Sequence, residues 1–314
     1  MQIVDPTYHR FFVTPLLPLT KSLDIDEAGY RRLLRMFLDD PRFRKRGGIV
    51  ANSEAGELFY ITQKQRRRVV EMTMEEVNGS MPVFTGTYAL STRELVEQTR
   101  EFKDMGVDGL FVFPPSGSAE VCRTWDPIEY PETWIDQLKE QDRVADLPII
   151  PHATAPFTPA FGGGLPSPTV AKMCNEIKNI VGWKVVCSYD GFRRVAKTLR
   201  SLDRHVAILP ARASNYHEML ALGEFDGTCC GVWSYALQET MDHIEAWERK
   251  DIDRARSLWH GGLGDLNLYI YGGGDVKRLH NRYKIAAWLR GVIDSPIMLP
   301  PMSPPRPEEI EEID

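Results

Sequence analysis

Asn179-Ile-Val-Gly-Trp-Lys-Val-Val-Cys187 is a run of strand-forming residues interrupted by one cation, Lys184. An ammonium in the middle of a buried strand is costly to desolvate, and burial drives a lysine pKa down. A lysine that is neutral near pH 7 is a nucleophile toward a carbonyl carbon, with which it forms an imine. The plainer reading is an edge-strand lysine whose stem packs on the sheet while its head reaches water. The kind of sheet that holds the stretch decides between them.

Working outward, similar short apolar runs recur at 10–14, 48–52, 82–86, 109–113, 148–152, 205–209 and 227–232, which with 182–187 makes eight. Amphipathic helical patterns fall between them, at 26–39, 62–78, 91–105, 131–145, 167–178, 191–202, 214–222 and 236–249. Thr62 and Ser91 are good N-caps, and Glu94 three residues after Ser91 completes a capping box. Strict alternation with continuously apolar strands predicts a parallel sheet covered by helices. Eight units close into a (β/α)8 TIM barrel of about 250 residues. A doubly wound open sheet is the competing architecture, but no GxGxxG follows the first strand. The expected organisation is a barrel over 1–250 and a packed C-terminal helical extension over 251–314. Within the latter, 252–270 and 276–292 read as helices, followed by a Pro-rich stretch and a short acidic tail.

The chain has 314 residues, 43% apolar and 26% charged, which is ordinary globular composition. A net charge of -6 argues against nucleic acid or an anionic membrane as partner. The basic runs Arg42-Phe-Arg-Lys-Arg46, ahead of a strand, and Lys64-Gln-Arg-Arg-Arg68, on a helix, read as solvated faces. Met1-Gln-Ile-Val-Asp-Pro6 has no signal-peptide pattern, and no apolar stretch approaches the ~20 residues of a membrane span. Five cysteines without CxxC or HExxH spacing point to reduced thiols, a cytoplasmic setting and no bound metal.

In a (β/α)8 barrel, chemistry sits at the C-terminal strand ends. Strand 2 leads into Asn52-Ser-Glu-Ala-Gly-Glu57, where Ser53, Glu54, Ala55 and Gly56 form a small polar loop whose N–H groups suit a carboxylate. Glu54 is awkward there unless it turns away or is protonated. Strand 4 leads into Pro114-Pro-Ser-Gly-Ser118, which presents Ser116, and strand 8 carries Cys229. Strand 5 ends in His152, whose pKa range suits an acid/base for imine chemistry. Its plainer reading is a histidine hydrogen-bonded at a strand end. Gly162-Gly-Gly164 and Gly272-Gly-Gly274 read as loops, and Trp247, Trp259 and Trp288 as packing.

Together these residues resemble the dihydrodipicolinate synthase / N-acetylneuraminate lyase superfamily over nearly the full length. Val13-Thr-Pro15 with Asp24-Ile-Asp26 is similar to its opening strand and first helix start. Ser53-Glu-Ala-Gly-Glu57 stands where the family has Gly-Thr-Thr-Gly-Glu. Pro82-Val-Phe-Thr-Gly86, Gly106-Val-Asp-Gly109 and Phe113-Pro-Pro115 fall in register. Ile180-Val-Gly-Trp-Lys184 matches the Gly-x-Lys of the imine lysine. Leu222-Gly-Glu-Phe-Asp-Gly227, Lys284-Ile-Ala-Ala-Trp-Leu-Arg290 and Pro300-Pro301 resemble the strand-8 motif, the closing helix and its proline pair. The family's threonine pair is Glu54 and Ala55 here, and its strand-4 tyrosine gives way to Ser116 and Gly117. Its strand-5 tyrosine aligns with His152, and the synthase's arginine has no counterpart in 154–159.

The resemblance implies a class I lyase of aldolase type on a 2-oxo acid, pyruvate or a derivative, without the synthase's own activity. Lys184 and His152 would be catalytic, and Ser53, Glu54, Ala55, Gly56, Ser116 and Cys229 would line the substrate. It implies no cofactor beyond the imine, and a homotetramer built as a dimer of dimers. A hydro-lyase acting on a deoxy sugar acid and a catalytically silent 2-oxo-acid binder are the alternatives. Phe157 and Phe161 are expected to make the pocket less polar than a sugar-acid lyase wants.

Overall fold

The computed structural model describes residues 8–117, 125–153, 164–272 and 277–314, and these fall into two compact units. Along the chain run eight strands: β1 (Phe11–Val13), β2 (Gly47–Ala51), β3 (Val83–Thr87), β4 (Gly109–Val112), β5 (Ile149–Pro151), β6 (Gly182–Val185), β7 (Ala207–Pro210) and β8 (Thr228–Cys230). Between them lie α1 (Glu27–Asp39), α2 (Pro41–Arg46), α3 (Gln63–Val77), α4 (Thr92–Asp104), α5 (Glu132–Ala145), α6 (Ser167–Glu176), α7 (Tyr189–Arg200) and α8 (Tyr216–Leu222). Then come α9 (Leu237–Glu248), α10 (Ile252–Leu258), α11 (Gly264–Ile270), α12 (Leu279–Leu289) and α13 (Pro307–Ile313). This is the (β/α)8 barrel with C-terminal helices that the alternation predicts.

The first unit comprises the described residues of Met1–Phe11, Pro82–Ala211 and Glu224–Cys229. Its strands pair in chain order. β3 runs parallel to β4, β4 to β5 and β6 to β7, with Phe111 opposite both Gly86 and Ile150, and Lys184 opposite Leu209. Parallel bridges Ile149–Ile180 and His152–Lys184 join β5 to β6. The Asp226 N–H donates to Ile208 O (3.1 Å) and the Thr228 N–H to Arg10 O (3.0 Å), which carries the order on to the starts of β8 and β1. β3 to β7 are buried along their whole length, so they read as unbroken apolar runs. The helix-facing side is fixed by Gln141 on α5, which donates to Thr87 Oγ1 (2.8 Å) and Thr99 Oγ1 (3.1 Å).

The second unit comprises Phe12–Met81, Arg212–Gly223 and Cys230–Asp314. The capping box closes at Thr62, which accepts from Gln65 N–H (3.3 Å) while Gln65 Oε1 accepts from Thr62 N–H (2.9 Å). At Ser91, in the first unit, the cap accepts from Glu94 N–H, but the Glu94 carboxylate takes the serine hydroxyl instead of a backbone N–H.

Two sequence expectations need correction here, the solvated Arg66 and the unbroken helix over 252–270, and two further segments gain a helix that the sequence reading left open. Arg42–Arg46 forms part of helix α2, with Asp40 capping the Phe43 N–H (2.7 Å) and Pro41 at its first turn. Its Arg42 pairs with Asp242 (2.6 Å). Arg66, read as solvated, is buried and donates to Leu58 O (3.1 Å). The helix expected over 252–270 breaks between α10 and α11, where Gly262 adopts a φ of +116°. The acidic tail is helix α13, whose buried Glu309 receives Arg278 Nε at 2.6 Å.

Two interactions hold this unit's interior. Cys230 Sγ lies 2.9 Å from Tyr271 Oη, which lies 2.6 Å from Tyr283 Oη, and burial pushes both phenols well above their usual range. Lys284 and Glu57, both 0% exposed, form an ion pair. Lys284 also donates to Ile297 O (2.6 Å), and Glu57 accepts from Leu299 N–H (2.7 Å). Burial pulls the Lys284 pKa down, and Glu57 works against that pull. Removing one partner leaves an uncompensated buried charge, which costs about 3–5 kcal/mol. Urea denaturation is therefore expected to find Lys284→Met and Glu57→Gln each destabilised by about that much, with the double variant losing less than the sum.

Candidate active site

The barrel's inner face in the first unit can be read from contacts. A Cβ on Gly109 would lie 2.2 Å from the Phe84 ring, and one on Gly182 would lie 2.8 Å from Leu209 Cδ1 and 3.6 Å from Ile150 Cγ1. Phe84, Ile150, Leu209 and the glycines therefore share one face, opposite the helix-facing Thr87. Side chains alternate along a strand, so Phe111, Phe113, His152 and Lys184 belong to that face as well.

Lys184 is 6% exposed, with Nζ 5.0 Å from the Phe111 ring centre. Among the described residues no carboxylate pairs with it. His152 is fully buried on the neighbouring strand, opposite Lys184 in the bridge, with its ring 5.0 Å from Phe111 and 5.2 Å from Phe113. The lysine and histidine singled out in the sequence are thus brought together, in an aromatic setting. Gly182, one pleat below Lys184, leaves the space that Leu209 and Ile150 fill.

One residue that the sequence reading missed joins them. Continuing the alternation past Thr87 puts Tyr88 on the inner face, one step above Gly86. Because Gly86 faces Phe111 and Phe111 faces Ile150, the next layer holds Phe113, His152 and Lys184, and Tyr88 follows directly on the end of β3 beside it. The Tyr88 backbone is clamped on both sides by Gln98, which accepts from its N–H (3.1 Å) and donates to its C=O (3.0 Å). Ser116 Oγ donates to Tyr88 Oη at 3.2 Å. Ser116 therefore holds a phenol, a role that only the strand register reveals. Adjacent strands are about 4.8 Å apart, so the layer and Tyr88 together span three such steps across a concave wall.

Cys229 is buried on β8, on the face opposite Cys230 by alternation. The cysteines Cys174, Cys187, Cys229 and Cys230 are free thiols. Phe157, Phe161, Ser118, Gly162 and Gly163 lie outside the described residues.

The 53–56 loop belongs to the second unit. Gly56 N–H donates to Ser53 Oγ (3.2 Å), Glu57 N–H to Glu54 O (2.9 Å) and Leu58 N–H to Ser53 O (3.2 Å). The Gly56 amide is thus used within the loop, and the next two amides close back onto it, whereas the sequence offered the loop's amides to a ligand. Ser53 and Ala55 are buried, and Glu54 is half-buried. The loop is anchored by Glu57, held at a φ of +57° against Lys284.

Comparison with known proteins agrees with this architecture. Residues 7–116 match the model of the dihydrodipicolinate synthetase family. An uncharacterized DapA-like lyase of Thermofilum pendens is 26% identical over 83% of this chain and 83% of its own. A 4-hydroxy-tetrahydrodipicolinate synthase of Methanopyrus kandleri is 26% identical over 77% and 75%. Among solved structures, dihydrodipicolinate synthase from Aquifex aeolicus superimposes with a TM-score of 0.79 at 21% identity, covering 97% of this chain and 95% of the other. YagE of E. coli K12, a family member solved in complex with pyruvate, gives 0.80 at 19% identity, covering 98% and 96%. The chain is a (β/α)8 barrel protein, and it is similar to the dihydrodipicolinate synthetase family, whose model its first third matches. No helix among the described residues is long and apolar enough to cross a membrane.

The packing under Lys184 is open to test. Gly182→Ala places a methyl against Leu209 and is expected to cost about 1–3 kcal/mol in urea denaturation. Trimming the neighbour in Gly182→Ala/Leu209→Val should recover most of that loss.

Proposed function

We propose that the chain is an aldolase-type lyase that binds a 2-oxo acid, pyruvate or a derivative, as an imine on Lys184. One observation carries this reading: Lys184 is enclosed on the inner barrel face without a carboxylate partner among the described residues, opposite His152. The contrast with Lys284 supports it. Lys284 is equally buried but engaged by Glu57 and a backbone carbonyl, as a structural lysine must be. The relatives named as lyases support the reaction class, and the pyruvate bound by YagE supports the substrate class.

In this reading the Lys184 amine adds to the keto carbon to give a carbinolamine. A proton delivered to its hydroxyl lets water leave, and the protonated imine forms. Removal of the proton from a hydroxyl two carbons from the imine carbon lets the intervening carbon–carbon bond break: that hydroxyl carbon leaves as an aldehyde, the imine takes the electron pair, and the resulting enamine is then protonated on carbon. Hydrolysis returns the amine and releases the 2-oxo acid. His152 is the acid/base assigned from sequence, and Tyr88, held by Ser116, is a second proton donor beside the same layer. Ser53, Glu54, Ala55, Gly56 and Cys229 are the substrate-lining residues that the resemblance implies. The superfamily's tetramer is the assembly proposed, which sedimentation velocity tests directly.

Borohydride reduction with pyruvate, read by peptide mass mapping, is the first experiment. A stable adduct on Lys184, absent from Lys184→Ala and never found on Lys284, is expected. No adduct, or one that persists in Lys184→Ala, would overturn the proposal. A screen that follows pyruvate release against water loss then separates an aldolase from a hydro-lyase.

Loss of a positioned proton-transfer group typically costs about 10²–10⁴ in rate. His152→Gln and Tyr88→Phe are each expected to lower kcat by roughly that factor while still forming the borohydride adduct. Unchanged turnover in either variant removes that residue from the proton relay.

A further inference from the structure

We infer that His9, His205 and Asp226 form a binding site for a divalent transition-metal ion of the zinc type, at the strand ends opposite the imine lysine. Each residue stands two positions ahead of a strand: His9 before β1, His205 before β7 and Asp226 before β8. Their ligand atoms all lie within 4.8 Å of one another. His9 Nε2 is 2.7 Å from His205 Nε2, and His205 Nε2 is 3.7 Å from Asp226 Oδ2. Zinc bonds of about 2.0–2.2 Å set tetrahedral donor atoms roughly 3.3 Å apart, so the three separations need to change by about 0.4 to 1.5 Å. Two imidazoles with one carboxylate suit zinc, cobalt or nickel and leave one position for water.

The backbone makes this convergence obligatory. Arg10 O accepts from Thr228 N–H, and a Cβ on Gly227 would lie 2.2 Å from that oxygen, so only glycine lets β8 come so close to the residue after His9. Asp226 is tied to β7 in both directions, with its N–H to Ile208 O (3.1 Å) and its Oδ2 accepting from Ile208 N–H (2.8 Å). Arg200 Nη2 donates to Asp226 Oδ1 (2.9 Å). These contacts orient the carboxylate as outer partners do around a metal ligand, with Oδ2, which has a second lone pair beyond the one Ile208 takes, 3.7 Å from His205 Nε2. The site is partly enclosed, with the His205 and Asp226 side chains 17% and 11% exposed. At the N-terminal strand ends a metal has a stabilising role and no part in the imine chemistry. It clips the first strand to the last two.

The competing account is a hydrogen bond between the two imidazoles that needs no ion. Full-length protein stripped with a chelator and titrated with zinc by calorimetry separates the two. One equivalent is expected to bind at micromolar or tighter affinity and raise the unfolding midpoint. His9→Gln, His205→Gln and Asp226→Asn should each weaken binding by at least about tenfold. No binding, or one equivalent that survives in His9→Gln/His205→Gln, would overturn the site. Should those variants fail to fold, the native protein still decides. Zinc must then shield His9 and His205 from diethyl pyrocarbonate, with carbethoxylation mapped by mass spectrometry, and equal labelling with and without zinc overturns the inference. The Lys184 adduct with pyruvate is expected to be the same with and without zinc, so either proposal can fail alone.

Discussion

The bridge between His152 and Lys184 is the constraint from which the site follows. In a parallel sheet, residues opposite one another on neighbouring strands point to the same side, and a slip of one residue turns every side chain over. The present register gives Trp183 and Val185 to the helix layer and Lys184 to the inner face. Shifted by one, the lysine would enter that apolar helix layer, and a tryptophan would fill the space beside His152. The apolar side chains of β5 to β7 hold this register, since each strand is buried on both faces. Core packing therefore decides which way the Lys184 amine points.

A second buried lysine shows what ordinary structural use looks like. Lys284 meets Glu57 and a backbone carbonyl, and Glu57 meets a backbone N–H, so every charge in that pocket is answered. A buried ion pair adds little net stability, but it is intolerant of losing one member. Glu57 also closes the loop that begins at Ser53. That loop is held in shape by its own serine, by Glu57 and by the amides it spends internally. Its capacity to greet an anion is narrower than its small polar sequence advertises.

Much of the barrel was legible because strand and helix periods differ and because the eight units repeat. Lys184 and His152 were legible because a cation in an apolar strand and a histidine at its neighbour's end are exceptions to composition. Tyr88 was not, since a tyrosine after a strand has no fixed meaning until register places the end of that strand beside the layer of His152. The helix α2 carried its signals, an Asp cap and a proline at the first turn, but the run of arginines masked them. The break at Gly261 and Gly262 was likewise written in two glycines and lost in an otherwise helical pattern. His9 and His205 stand 196 residues apart, and local spacing cannot show such a pair.

Set beside the superfamily that the chain resembles, its differences form one set. Where that pattern has a threonine pair after strand 2 and a tyrosine after strand 4, this chain has Glu54 and Ala55, and Ser116 and Gly117. A phenol nevertheless follows directly on strand 3, with Ser116 bonded to its oxygen and Gln98 holding its backbone on both sides. An imidazole stands where the strand-5 phenol would be, wedged against Phe111 and Phe113. On the reading proposed here, the relay has moved to neighbouring strands of one chain, while the amine that needs it has stayed in place.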